Sequence, residues 1–346
     1  MSKLTVHKIV FNLTHYDNMM FINIDSFDLD YLGFKVSDCH TIYKKTLYIN
    51  DEKFDQEAFL MIAQINEVLK KLEMVRPICV LNIASNEMIF ETFILPKLTQ
   101  TETIKSLNVE LGKLYPNFEN KYVYQFTKLL SDGVNNKYNV AMFDLDLYKK
   151  ILSWFKDLKV TLLNVTVNES SLRRVLVKTT VFKRKRGSIF INMKENDTQI
   201  VVNDSKNVDG SVVIKEGYSN FEYATEAILR REKANRPDEK ITLDNLLEKY
   251  SGDEIDDLIE KIYKNLMIEI KKVVGNLFLK QNVFKVYFNV ENYDDKIIGP
   301  TLTKLLNIRF SKLNYVKPSV LVHLSSYGAL MRHSKSSDYS YPLKVK

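Results

Sequence analysis

The chain has 346 residues, of which 45% are hydrophobic, 27% charged and 11% aromatic. This is a globular composition long enough for about two domains, and it excludes disordered, collagen-like and coiled-coil architectures. Its net charge of +7, from 50 Lys and Arg against 43 Asp and Glu, is too mild to name a polyanionic partner, and apolar runs such as MMFI (19–22) and ICVL (78–81) fall far short of the ~18 residues of a spanning helix.

In chain order, the first fifty residues offer four strand-like runs, IVFNLT, NMMFINID, YLGFKV and TLYIN, separated by polar breaks, so a strand meander is expected to open the fold. Residues 57–72 carry Ile62, Ile65, Leu69 and Leu72 at helical spacing and stop before Arg76-Pro77. The run PICVLNIA reads as a strand, as does NEMIFETFIL. Thr99 and Glu102 then have capping-box spacing, which predicts a helix with Ile104, Leu107, Leu111 and Leu114 inward, ended by Pro116. YNVAMFDL reads as a strand, followed by a helix with Leu147, Ile151, Phe155 and Leu158 inward, and by strand VTLLNVTV. The basic stretch Lys183, Arg184, Lys185 and Arg186 marks the expected linker, 181–186, between a first half, 1–180, and a second, 187–346. The second half starts with strands SIFINMKENDTQIVVND and SVVIKEG and continues as a charged, weakly periodic span to Ser251. One long amphipathic helix is predicted from Ile255 to Leu277, then strand VFKVYFNV, a helix near 301–306, strand VLVHL and a short apolar SSYGALM.

Most catalytic signatures are missing. The five histidines and two cysteines, Cys39 and Cys79, show no metal-ligand spacing, so no metal site is expected, and no nucleophile-elbow, P-loop or dinucleotide glycine pattern occurs. Only 10 glycines are present, few for folds whose phosphate loops rely on them. Asp144 and Asp146 read as caps of the following helix rather than as a catalytic pair. Cys39 and His40, adjacent in a strand, point to opposite faces and read as structural. The Lys183–Arg186 cluster reads first as a solvated linker, with a polyanion-binding patch as the sharper option. The cysteine usage and the polar start MSKLTVHKIVFN carry the expectation of a cytoplasmic chain without disulfides.

The order of these elements resembles the actin-like ATPase superfamily, and within it the PilM-like pilus-assembly and FtsA-like division families. The most specific stretch is MIFETFILPKLTQTETIKSLNVELGKLYPNFENKYVYQF, which is similar to the PilM-like succession of strand, Leu-Pro turn, helix and closing aromatic-proline before a strand. YNVAMFDLDLYKKILSWFKDLKVTLLNVTVNESSLRRVL resembles the family's return to its first core subdomain, and PSVLVHLSSYGALMRH its closing small-residue helix. The resemblance implies an α/β fold of actin-like, ribonuclease H-like type: two mixed-sheet halves flanking a cleft, with a subdomain inserted in the first half at about 57–145.

The same resemblance locates the nucleotide elements of such folds and shows each of them altered. The first Asp-x-Gly turn aligns with Asn12-Leu13-Thr14, the second with Asn192-Met193-Lys194, and the glycine pair against adenosine with Val290, Glu291 and Asn292. Two metal-shell carboxylates are replaced by amides, and glycines by side-chain-bearing residues that obstruct phosphate. The implied reading is a pseudo-ATPase without ATP or magnesium as cofactor. It would be a scaffold that binds protein partners of a membrane-linked or cytoskeletal assembly and self-associates in some relatives, meeting the inner face of the membrane indirectly or through its basic cluster. The alternatives are an active ATPase using a displaced carboxylate, Asp25 or Asp197, and a basic-surface binder of nucleic acid or anionic lipid.

Overall fold

The computed structural model describes residues 6–29, 36–178, 187–203, 211–235, 252–278, 284–291, 293–311, 313 and 322–331. Two compact units emerge, Met1–Lys178 together with His323–Lys346, and Thr179–Val322.

In the first unit, strands β1 (Val6–Tyr16), β2 (Met19–Leu29) and β3 (Val36–Tyr48) form an antiparallel meander. Three strands are described where four runs were read, because TLYIN is the end of β3; most of YLGFKV lies outside the described residues. Helix α1 (Phe54–Lys71) buries Phe54, Ala58, Met61, Ile62, Ile65 and Leu69, an amphipathic stripe facing the sheet. Strand β4 (Ile78–Ser85) then lies parallel to β1, and β8 (Thr161–Val167) parallel to β4, giving the order β3-β2-β1-β4-β8.

Between β4 and β8 the chain builds a separate layer: β5 (Ile89–Pro96), α2 (Gln100–Leu114), α3 (Phe118–Lys121), β6 (Tyr122–Ser131) and β7 (Asn135–Asp144), with sheet order β5-β7-β6. The capping box is formed as the sequence predicts, Thr99 accepting from the Glu102 amide and Glu102 from the Thr99 amide. The inserted subdomain therefore spans 89–144 rather than 57–145. The reason is packing: α1 and β4 bury their apolar faces in the main core, whereas Leu95, Leu107, Leu111, Phe118, Phe126 and Val140 form a core of their own. Strand β7 serves both, since Val140 and Met142 face the insert core while Ala141 and Phe143 face the main one. Asp144 caps α4 (Leu145–Asp157) by accepting from the Leu147 amide at 2.7 Å, the capping role read from the sequence. Asp146 is an exposed partner of Lys149. Helix α5 (Asn168–Lys178) follows β8.

The second unit repeats the plan. Strands β9 (Gly187–Met193), β10 (Thr198–Asn203) and β11 (Ser211–Ile214) are antiparallel neighbours, while β12 (Phe284–Val290) runs parallel to β9 and β13 (Phe310–Ser311) parallel to β12. The order β11-β10-β9-β12-β13 matches that of the first unit strand for strand, in direction as well as position. The charged span after β11 contains helix α6 (Tyr218–Asn235), whose stripe is thin: Tyr218, Phe221 and Thr225 are buried among solvated neighbours. The single helix predicted over 255–277 is two, α7 (Gly252–Ile262) and α8 (Lys264–Phe278), broken at Tyr263. Tertiary hydrogen bonds make the break: the Tyr263 hydroxyl donates to the Gly217 carbonyl at 3.0 Å, and the buried Glu216 carboxylate accepts from the amides of Asn265 and Leu266, capping α8. Helix α9 (Ile298–Leu306) completes this unit.

The second half was expected to run to 346, but the chain from His323 groups with the first unit. There, helix α10 (Leu324–Leu330) packs on α5, β1 and β4, and it occupies part of what read as strand VLVHL. Gly328 makes that packing feasible: a Cβ there would stand 2.1 Å from the Ser171 carbonyl oxygen. No helix of the described residues is long and apolar enough to cross a membrane.

Candidate functional site

Strand periodicity divides β1. Ile9, Phe11 and Leu13 enter the main core, and Val10, Asn12 and Thr14 take the opposite face, under α5 and α10. Asn12 thus lies within the strand and not at a turn; the β1–β2 turn falls at Asp17 and Asn18, with Asp17 at φ 53°. Buried in the sheet, the Asn12 amide donates to Asp25 at 3.0 Å and to Ser326 at 2.7 Å, and it accepts from Asn82 of β4 at 2.9 Å. Asn82 also donates to Asn168 at 2.8 Å and accepts from Ser171. Thr14 is buried two residues on.

The second unit carries the counterpart. Asn192 of β9 stands in register with Asn289 of β12, as Asn12 does with Asn82, and Asn289 donates to Asn192 at 2.9 Å. The Asn192 amide donates to the buried Glu291 carboxylate at 2.7 Å, and the Glu291 amide donates to the Met193 carbonyl at 2.8 Å. Val290 ends β12, and Asn292 lies outside the described residues. Lys194 opens the β9–β10 turn; its amide donates to the Asp197 carbonyl at 2.7 Å and its ammonium lies 3.7 Å from the Asp197 carboxylate. Each unit thus contains an asparagine pair bridging two parallel strands, buried in the first unit and half-buried at Asn289 in the second. Sequence reading found Asn12 and Asn192 but missed Asn82 and Asn289, although an asparagine inside the apolar runs VLNIA and YFNV is itself a signal of a buried polar contact.

The two carboxylates considered as replacements are both engaged. Asp25 lies under α10, accepting from Asn12, Asn23, Thr41 and Ser326, with His323 Nδ1 3.2 Å away. Burial pushes its pKa up, but the His323, Ser326 and Thr41 contacts outweigh that and hold it below the ordinary value. Asp197 is buried beside Lys194. Among the described residues no group of three His, Cys, Asp or Glu is arranged to hold a metal ion. Burial pushes the Cys79 thiol up, making it a core residue rather than a nucleophile. The basic residues Lys183, Arg184, Lys185 and Arg186 lie outside the described residues.

A second feature lies where the inserted subdomain meets α4 and β8, all within the first unit. It is a groove of 780 Å³. Phe118, Tyr122, Val123 and Tyr124 of the insert contribute to its lining, with Leu145, Tyr148, Leu152 and Phe155 of α4 and Leu162 of β8. The polar members are Asn108, Glu119, Ser153 and two lysines, Lys149 and Lys156. Tyr124 donates to Asn108 at 2.5 Å, which fixes one tyrosine, and Gln125 accepts from the Val167 amide at 2.9 Å, which ties β6 to the end of β8. The Tyr148 hydroxyl is buried without a hydrogen-bond partner among the described residues, and burial pushes its pKa up to about 12. A pocket of this size with an apolar lining and few polar groups is the usual form of a binding site.

No family model and no curated protein matches the chain. Among solved structures, a PilM–PilN type IV pilus biogenesis complex aligns over 95% of this chain and 96% of that one, at 14% identity and a TM-score of 0.59. Ethanolamine utilization protein EutJ from Carboxydothermus hydrogenoformans aligns over 94% and 89%, at 11% identity and a TM-score of 0.45. An archaeal actin homologue aligns over 93% and 98%, at 13% identity and a TM-score of 0.43. The alignment at 0.59, together with the duplicated strand order, establishes an actin-like fold.

Proposed function

We propose that this chain is a non-catalytic scaffold of actin-like fold, which binds a protein partner of a membrane-linked assembly of the pilus type and docks it in the groove between the insert and α4. The observation that carries the reading is the groove itself: a largely apolar depression on the subdomain that distinguishes this chain from a bare pair of sheets. Each Leu- or Phe-sized side chain buried there contributes roughly 1.5–3 kcal/mol, so two or three suffice for a micromolar complex after association costs. The likeness to a PilM–PilN type IV pilus biogenesis complex supports the class of partner, a protein of a pilus-type assembly.

The absence of ATPase activity belongs to the same proposal. The residues at the nucleotide positions do not fit a magnesium nucleotide: amides stand in place of the two carboxylates, they are consumed pairwise by Asn82 and Asn289, and the Glu291 carboxylate is held by Asn192. A buried carboxylate at that position disfavours an incoming phosphate.

The test is a pulldown from cytosolic and membrane fractions of the native cell. Wild type is run beside Leu152→Asp and Phe155→Asp, which place a charge in the groove. A membrane-assembly protein recovered by wild type and lost by both variants supports the docking reading. Equal recovery by all three overturns it. Calorimetry with ATP and magnesium tests the second part, since a tight, metal-dependent signal would restore an ATPase with displaced carboxylates.

A further inference from the structure

The inserted subdomain holds a second, smaller cavity, of 220 Å³, and none of the residues described as lining it lines the groove. One wall is the segment that leads from β5 into α2, and the other is one face of β6 and β7. Strand alternation sets the chemistry of that face. Asn136 and Tyr138 of β7 point the same way as the buried Val140 and Met142, so the stripe that fills the insert core turns polar at the start of the strand. On β6, Lys128 stands in register with Tyr138, and the Phe126 ring meets that of Tyr138 edge to face at 5.6 Å.

Two buried groups at this wall have hydrogen-bonding capacity to spare. Asn136 is 5% exposed; its Nδ2 donates to the Tyr138 hydroxyl at 3.1 Å, and its Oδ1 has no hydrogen-bond partner among the described residues. A buried acceptor in that state is costly, and in a cavity wall it is matched by a donor inside the cavity. The Thr103 hydroxyl donates to the Thr99 carbonyl at 2.9 Å, so the Tyr138 proton has only the Thr103 oxygen, 3.4 Å away, as its acceptor. That contact is long for a hydroxyl, and a nearer acceptor in the cavity displaces it.

The charge is one-sided. Exposed Lys97 and half-buried Lys128 line the cavity, and among the described residues no Asp or Glu does. Gln100, also in the lining, is the first residue of the 15-residue helix α2; the capping box takes the Glu102 amide and leaves those of Gln100 and Thr101 outside the helical ladder. Glu102 itself is turned back onto the Thr99 amide and hydroxyl. Lysines and helix start call for a negative group, whereas Asn136 calls for a donor on the same ligand. Beside two lysines that donor is a hydroxyl, since an ammonium would be repelled.

We propose that this cavity binds a small hydroxylated anion, a hydroxy carboxylate or a short polyol phosphate. Its anionic group would lie against Lys97, Lys128 and the first turn of α2, with a hydroxyl donating to Asn136 Oδ1. The volume is below the ~300 Å³ at which drug-sized pockets begin, which suits a ligand of a few heavy atoms. The inference is independent of the docking reading, because it uses other residues.

Calorimetry on the full chain tests it with three matched pairs: L-lactate with propionate, L-malate with succinate, and sn-glycerol 3-phosphate with propyl phosphate. The first member of each pair carries the hydroxyl and the second lacks it. Saturable binding of at least one hydroxylated anion is expected, about tenfold tighter than its partner. Lys97→Met, a change at an exposed residue, should weaken it about tenfold and flatten its salt dependence. Asn136→Leu keeps the size of the side chain and removes the acceptor, so it should abolish the preference within the pair. Circular dichroism checks that each variant is folded; if Asn136→Leu is not, the pair preference of wild type and the Lys97→Met result decide. Binding confined to the carboxylates or to the phosphate supports the site and identifies the source of the anion. No saturable binding by any probe, equal affinity within every pair, or binding unchanged in Lys97→Met overturns the proposal.

Discussion

Asp25 accepts from four side chains and lies beside His323, and its chemistry sets a pH dependence. Its pKa lies below the ordinary carboxylate value because His323, Ser326 and Thr41 outweigh the cost of burial. A carboxylate with a depressed folded pKa contributes stability that is complete above its unfolded pKa of about 4, and this is lost as pH falls through the lower folded value. Urea midpoints should therefore decline on acidification below about pH 4. Asp25→Asn should be about 3 kcal/mol less stable at neutral pH, since it removes the charged member of a buried pair, and should show a flatter acid decline. Tyr148 makes the opposite case. Its hydroxyl is buried without a partner among the described residues, so Tyr148→Phe should raise stability by about 1 kcal/mol in urea titrations. A large loss instead would mean that the hydroxyl has a partner in the folded chain.

At the level of elements, single contacts decide where helices begin and what they pack on. Glu216 caps α8 from a distant part of the sequence by accepting from two of its first amides. Glu216→Ala should cost about 1–2 kcal/mol and should reduce helical circular dichroism only slightly, since α8 keeps its buried Leu266, Met267 and Ile270. Gly328 is the stricter position. Any side chain there meets the Ser171 carbonyl, so Gly328→Ala must push α10 away from α5 and weaken the 3.0 Å bond from Arg174 to the Gly328 carbonyl. The expected loss is about 2–3 kcal/mol, read from chemical denaturation, and Ser171→Ala should not rescue it because the obstruction is backbone.

For the molecule as a whole, the repeated strand order means that two sheets of the same plan carry different loads. The first bears an inserted subdomain and the groove; among the described residues the second joins β11 to β12 through α6, α7 and α8. A ligand that binds only the folded chain stabilises it by about 2.7 kcal/mol at a hundred times its dissociation constant. A partner bound in the groove at that excess should therefore raise the thermal midpoint by several degrees, whereas millimolar ATP with magnesium should leave it unchanged. A midpoint raised by the nucleotide alone would return catalysis to the sequence positions Asn12 and Asn192.

Local patterns in the sequence determined the elements that depend on neighbours close in the chain. The Thr99–Glu102 capping box, the Asp144 cap and the Pro116 stop formed as read, and so did the α1 stripe except at Leu72, which caps the helix and is 41% exposed; each is satisfied within one or two turns of its own residues. The overall order was enough to indicate a duplicated actin-like fold, since strand and helix succession survives where identity does not. Only the tertiary structure decided the rest. The break at Tyr263 needs Glu216 and Gly217, nearly fifty residues away, and the amphipathic pattern runs straight through it. The limits of the insert depend on which core β5 to β7 fill, and β7 fills two. The partners of Asn12 and Asn192 come from strands paired in register across the sheet, and the groove exists only because α3, β6, α4 and β8 converge. Periodicity reports which face of an element is apolar; what that face meets is set by contacts between residues far apart in the chain.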